Sequence, residues 1–286
     1  MKEIAYFPGC THLHTASHFE RSALSVFEAL GWRLVEKFNW ICCGTVHGLS
    51  TDNLMQNVSA VRNLARAESA GARRIVTNCA MCYNTLKQAN EMVKRDEDAL
   101  KNLNEFMDDE PDYRGGVEVL HSLQLLREIG LDEIEKRVVK PLEGLRVAPY
   151  YGCLLLRPRE VAIDNPERPK IMDEVLKAIG AEIVRDARLK YCCGSYHTVD
   201  RKEIVLSRID EIISAVRRRG ADLIAVACPL CEFNLDKRQK FLNKGGLPVL
   251  YFTQLIALAF GKEEDCLFEK HHVDPRPLLK ERGLLR

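Results

Sequence analysis

Apolar residues along the chain fall into two alternating kinds of run. Short continuous runs such as Ile4-Ala5-Tyr6-Phe7 and Val147-Ala148-Pro149-Tyr150-Tyr151 read as buried strands, and each ends at a Gly-Cys pair, Gly9-Cys10 and Gly152-Cys153. Longer stretches carry apolar residues at helical spacing, Leu54, Val58, Val61 and Ala65 in one half and Val205, Ile209, Ile212 and Val216 in the other. Each set presents one face to a sheet. Helices predicted at about 19–30 and 169–179 stop at Gly31 and Gly180, and short strands follow at 33–36 and 182–185. Gly71-Ala72 and Gly220-Ala221 then open strands at 74–77 and 223–227 that run straight into helices. Each half closes with one more strand, 117–121 and 248–251, followed by a helix.

Strand and helix alternate in the same order twice, which predicts an α/β protein made of two duplicated domains, each with a mainly parallel sheet. Ligand sites are then expected at the C-terminal strand edges. The halves are offset by 149 residues at Cys79/Cys228 but by 130 at Val119/Val249, so the first half carries an insert at about 94–113. Leu100, Leu103 and Met107 give the insert helical spacing among charges, and it reads as a solvated helical excursion. Lys140-Pro141-Leu142-Glu143-Gly144 is the expected linker, giving a first domain at 1–143 and a second at 144–262. Residues 263–286 are expected as an arm outside the second core.

Composition changes this picture in one respect. A chain of 286 residues with 42 basic and 41 acidic residues has no charge imbalance to attract nucleic acid or an anionic membrane. The N-terminal residues lack a signal-peptide pattern and no apolar run approaches a membrane span, so a cytoplasmic protein is expected. Chemistry enters with the eleven cysteines, ten of which form one five-cysteine pattern written twice. The first copy is Cys10, Cys42-Cys43-Gly44 and Cys79-Ala80-Met81-Cys82, and the second is Cys153, Cys192-Cys193-Gly194 and Cys228-Pro229-Leu230-Cys231.

In a reducing compartment such spacing points to metal ligands or redox catalysis rather than disulfides. A Cys-x-x-Cys at a helix start sets two sulfurs near unpaired N–H groups and the positive end of the helix dipole. Adjacent cysteines diverge in extended chain and suit a polynuclear cluster better than one ion. Zinc or an ordinary cubane is satisfied by four protein ligands, so five cysteines point to an unusual cluster.

The pattern resembles the CCG domain, and its duplication over residues 1 to 260 is similar to the B-type subunit of the heterodisulfide reductases and their bacterial relatives. The resemblance implies that all ten cysteines ligate two noncubane 4Fe-4S clusters facing a shared cavity, where a small disulfide is split into two thiols. It also implies two partners, a ferredoxin-like subunit that delivers electrons and a flavin-containing subunit that feeds it. The chain itself lacks the glycine-rich fingerprints of flavin or NAD sites. The competing expectation is a non-catalytic electron-relay subunit, or a partly zinc-stabilised one, of another redox complex such as an acyl-CoA, aromatic-ring or dicarboxylate oxidoreductase.

Other residues carry weaker signals. His47 and His197 stand four residues past each vicinal pair and suit proton donation to a departing thiolate, with a structural role as the alternative. Arg157 and Arg159 follow Cys153 closely enough to hold an anionic substrate group, against ordinary surface ion pairing. His12, His14 and His18 read as a solvent-facing helix start, and Cys266 as an ordinary thiol.

Overall fold

The computed structural model describes residues 1–12, 14–45, 54–242 and 244–285. The first half runs β1 (Lys2–Tyr6), α1 (Ser17–Ala29), β2 (Trp32–Val35), α2 (Val58–Ser69), β3 (Arg74–Thr77), α3 (Ala80–Arg95), α4 (Glu97–Phe106), β4 (Glu118–His121), α5 (Ser122–Ile129) and α6 (Leu131–Glu135). The second half repeats the order with β5 (Arg146–Tyr150), α7 (Ile171–Ala178), β6 (Glu182–Ile183), α8 (Lys202–Arg218), β7 (Leu223–Val226), α9 (Pro229–Leu235), β8 (Val249–Tyr251) and α10 (Phe252–Ala259), and ends in α11 (Arg276–Glu281).

The strands form two parallel sheets of identical order, β2-β1-β3-β4 and β6-β5-β7-β8. Strands covered on both faces need continuous apolar sequence. Leu223-Ile224-Ala225-Val226 in β7 is buried throughout, and Ala5 pairs with Ile75 across β1 and β3 as Val147 pairs with Leu223 across β5 and β7. The expected α/β duplication is therefore what the chain adopts. All four central strands, β1, β3, β5 and β7, point their C-terminal ends at a cysteine within a few residues.

The halves share one core. Helix α1 of the first half packs on α10 of the second, as α7 of the second packs on α5 of the first. Phe19 stacks on Tyr251 with ring centroids 4.0 Å apart, and the Ser22 and Thr253 hydroxyls are 2.7 Å apart. Tyr83 and Asn84 on α3 reach across to donate to the carbonyls of Val161 and Leu154, each at 2.8 Å.

The insert is helical, as its spacing implies. Asp96 caps α4 through the Ala99 N–H at 2.8 Å, and Ala99, Leu103 and Met107 are buried beside α3 while the opposite face is solvated. The C-terminal segment does not stand away from the core. Cys266, Phe268, Leu279 and Leu284 are buried in it, and Asp265 pairs with Arg21 of α1 at 2.7 Å. The arm's apolar residues are spaced too irregularly to announce that packing from sequence.

Candidate metal centre

Strand ends and helix starts place the sulfurs. Cys79 and Cys228 are the N-cap residues of α3 and α9 in extended conformation, which holds each side chain over the helix N-terminus. Cys82 and Cys231 lie within the first turn of the same helices. Cys10 and Cys153 leave β1 and β5 through glycines at positive φ, Gly9 at +80° and Gly152 at +64°. A Cβ at Gly9 would fall 2.9 Å from Cys82 Sγ, so only glycine lets the chain pass this close to the sulfur. The vicinal pairs Cys42-Cys43 and Cys192-Cys193 sit on loops after β2 and β6.

These ten thiols make one continuous succession. In the first half Cys10 interacts electrostatically with Cys42, which adjoins Cys43; Cys43 interacts with Cys82, and Cys82 with Cys79. In the second half Cys153, Cys192, Cys193, Cys231 and Cys228 follow each other in the same way, with Cys193 Sγ 3.6 Å from Cys231 Sγ. The two successions join where Cys79 and Cys228 interact electrostatically, beside the Ala80 N–H that donates to the Ala227 carbonyl at 3.1 Å. Each array runs from a partly or fully exposed end, Cys10 and Cys42 or Cys153 and Cys192, to a buried end at this junction. No two of the eleven cysteines are joined in a disulfide.

Electrostatics explain what such crowding needs. Neighbouring thiols and burial raise Cys10, Cys82, Cys153 and Cys231 above the ordinary thiol range, because sulfurs in contact cannot all ionise. Hydrogen bonds from Cys153 and Cys193, with the Gly194 and Ser195 N–H groups, hold Cys192 well below it. Cys228 is likewise lowered by Cys231 and Cys79 together with N–H groups of α9. Such a set becomes fully thiolate only when cations neutralise it, and iron bound to thiolates is the chemistry that five sulfurs in one array supply. Side chains also hydrogen-bond the deeper vicinal sulfurs: Thr45, backed by Thr85, lies 3.1 Å from Cys43, and Asn234 donates to Cys193 Sγ at 3.6 Å. The residues present fit an iron–sulfur group in each half.

The CCG cysteine-rich domain matches this chain twice, at residues 4–87 and 147–236, over half of its length. The chain belongs to the CCG family that includes the B-type subunit of heterodisulfide reductase. It is 31% identical to the 8-methylmenaquinol:fumarate reductase membrane anchor subunit of Wolinella succinogenes over 95% of this chain and 97% of that protein. It is 30% identical to a protein of Archaeoglobus profundus that is itself named as like the B-type subunit of heterodisulfide reductase, over 91% of each. Identity to the B-type subunit of the ferredoxin/F(420)H(2)-dependent CoB-CoM heterodisulfide reductase of Methanosarcina acetivorans is 29%, over 93% of this chain and 92% of that protein. A crystal structure of a hypothetical protein from Helicobacter pylori shares the fold with a TM-score of 0.75 at 14% identity. That match covers 96% of this chain and 52% of the other, so the chain spans about half the length of that protein. With its two cysteine arrays, this CCG protein is an iron–sulfur redox protein.

The weaker CCG-site candidates lie in different settings. His47 lies outside the described residues. His197 is exposed, with Nδ1 3.9 Å from Asp200 Oδ1. Arg157 is exposed and lines a cavity of about 590 Å³ with Arg159 and Arg168, while its carbonyl accepts from Asn84 Nδ2 at 2.7 Å. Cys266 is buried away from both arrays and donates to the Gln254 carbonyl at 3.3 Å.

The structure corrects the expectation for the early histidines. His12 and His18 are buried and only His14 is exposed, because the segment after Cys10 turns inward to meet α10 and the C-terminal segment. Burial lowers His12 to about 3, and both its ring nitrogens lack partners among the described residues. His121, at the end of β4, is not singled out by the sequence. Its Nε2–H donates to the Asn78 carbonyl at 2.8 Å, its Nδ1 accepts from the Leu123 N–H, and burial lowers it to about 4. Both imidazoles feel the Cys228 sulfur and flank the junction of the arrays as neutral groups. Tyr196 is the other residue missed. Half-exposed, it is raised by burial and by the charge of Cys153, Cys192 and Cys228 from its own half and Cys43 from the other. Only its place after Cys-Cys-Gly-Ser could have pointed to it.

Proposed function

We propose that this chain reduces a small disulfide to two thiols as the iron–sulfur subunit of a heterodisulfide-reductase-like complex. The unbroken succession of ten thiols, joined at Cys79 and Cys228, is the observation that carries it. Cys10, Cys42, Cys43, Cys79 and Cys82 would hold one noncubane 4Fe-4S cluster and Cys153, Cys192, Cys193, Cys228 and Cys231 the other. When bound, two such clusters supply the two single electrons that a disulfide needs. The overall change, RSSR′ + 2 e⁻ + 2 H⁺ → RSH + R′SH, breaks one S–S bond and forms two S–H bonds. Electrons come from a ferredoxin-like subunit, itself fed by a flavin-containing subunit, since this sequence has no flavin or NAD fingerprint.

Protons fall to the polar groups near the arrays. Burial and the charge of sulfurs from both halves keep the Tyr196 hydroxyl protonated, and it can donate a hydrogen bond to a departing thiolate. His47 and His197 are proposed as further donors, from equivalent positions after the vicinal pairs. Arg157, with Arg159 and Arg168 around the same cavity, offers bidentate binding to a substrate carboxylate or phosphate. No helix among the described residues is long and apolar enough to cross a membrane, and a cytoplasmic location fits this reading.

A second reading has its own support. The Wolinella relative is named for a methylmenaquinol:fumarate reductase, so an electron-relay role in a complex that reduces something other than a disulfide is the alternative. Anaerobically purified protein should contain about eight irons per chain and oxidise a reduced viologen dye only when a disulfide is added. Cys43→Ala and Cys193→Ala should each remove about half of that iron and abolish the reaction. Dye oxidation that never responds to a panel of disulfides, with iron intact, would favour the relay.

A further inference from the structure

Away from the cysteine arrays, side chains from three separate parts of the chain converge on one buried point. His18 comes from the first turn of α1, Glu232 from α9 and His271 from the C-terminal segment. Their side chains are 0%, 3% and 0% exposed. His18 Nε2 and His271 Nδ1 each lie 3.7 Å from Glu232 Oε1, and the two rings meet edge to face with centroids 4.7 Å apart. The three facing atoms have no hydrogen-bond partner among the described residues, and neither has His18 Nδ1. Buried polar atoms are normally paired, and 3.7 Å is too long for a hydrogen bond. It is close to the separation of about 3.3 Å between two ligands of a tetrahedral zinc ion bound at about 2.0 Å.

We propose that His18, Glu232 and His271 form a zinc site that clasps α1, α9 and the C-terminal segment together. Two imidazoles and one carboxylate are a borderline donor set suited to that ion. Gln254 supplies the support such a site needs. Both amide atoms of Gln254 face His271 Nε2, Oε1 at 3.1 Å and Nε2 at 2.8 Å, and in the tautomer whose Nε2–H donates to Oε1 the Nδ1 lone pair is left for the metal. Gln254 is itself fixed, accepting from the Tyr251 N–H at 2.8 Å and donating to the Cys266 carbonyl at 2.6 Å. The Tyr251 ring meets His18 edge-on at 5.0 Å, and its buried hydroxyl has no partner among the described residues.

The site is not an inheritance of the duplication. At the offset of 149 residues that relates the Cys-x-x-Cys pairs, Glu232 corresponds to Tyr83, whose hydroxyl donates to the Val161 carbonyl. The ion would therefore anchor α9, whose first turn carries Cys231 directly after the Cys228 cap, in the second half only.

Zinc itself is the probe. Full-length protein carrying its iron is incubated with zinc sulfate without oxygen, desalted, and examined by elemental analysis and zinc-edge X-ray absorption. One zinc per chain with only nitrogen and oxygen neighbours at about 2.0 Å is the expected result. His18→Gln and His271→Gln should each bind at least tenfold less zinc while keeping most of their iron, and chelation should lower the melting temperature of the wild type but not of either variant. If neither variant folds, the wild-type spectrum decides alone. Sulfur neighbours at about 2.3 Å would put the zinc in a cysteine array and overturn the site. Zinc lost completely on desalting would overturn it as well, leaving a buried cluster of His and Glu without metal.

Discussion

Gly9 and Gly152 are duplicates in sequence that differ in clearance. A Cβ at Gly9 would lie 2.9 Å from Cys82 Sγ, whereas one at Gly152 would lie 3.6 Å from Cys231 Sγ and 3.2 Å from the Tyr150 ring. Both residues have positive φ, so alanine at either costs about 1–2 kcal/mol in backbone conformation. Only at Gly9 must a cysteine sulfur of the array also move. Gly9→Ala is expected to lose most of the first array's iron and Gly152→Ala to keep the second's, as iron analysis and visible absorption of anaerobic protein would show. Equal iron loss in both would mean that clearance to the sulfur does not matter.

Helices matter here for what they bridge. Helix α1 follows the first lead cysteine yet spends its apolar face on α10 of the other half, with Phe19 fully buried against Tyr251 and Phe252. Phe19→Ala is expected to destabilise the protein by about 3–5 kcal/mol, read by chemical denaturation. It should also loosen the Cys79–Cys228 junction, because that contact exists only while the halves are closed. A loss below about 1 kcal/mol, far under the usual cost of removing a buried aromatic, would show that α1 and α10 hold the halves together less than their packing implies. Periodicity marks α2 and α8 as amphipathic and a glycine stop bounds α1, but a helix's own residues do not say whether its sheet or the opposite domain receives the apolar face.

For the whole molecule, the C-terminal segment closes the second half through Asp236. This buried carboxylate accepts from the His272 and Val273 N–H groups at 2.5 and 2.9 Å. Burial raises it to about 7 against those two donors, with Glu232 adding to the rise. Below about pH 4 the group is protonated in both folded and unfolded chains, and its stabilising contribution is fully present. As pH rises towards 7 the unfolded chain releases a proton that the folded chain retains, and stability falls. Asp236→Asn cannot titrate, so its deficit relative to wild type should shrink between about pH 5 and pH 8 by on the order of 1–3 kcal/mol. Denaturation curves across that range check it, and a constant deficit would mean that Asp236 is ionised in the folded protein throughout.

The sequence by itself determined what is local. Strand and helix alternation, the duplicated order and the ten cysteines were legible because each depends on neighbours within one element or on the repetition of a spacing. Only the tertiary structure decided that the two arrays interact at Cys79 and Cys228, that Tyr196 feels sulfurs of both halves, and that His18 is buried beside Glu232 and His271. Those contacts join residues far apart in the chain, and they depend on how two sheets and a C-terminal segment close on one core. A histidine among polar neighbours looks solvated in sequence; burial is a property of what packs over it.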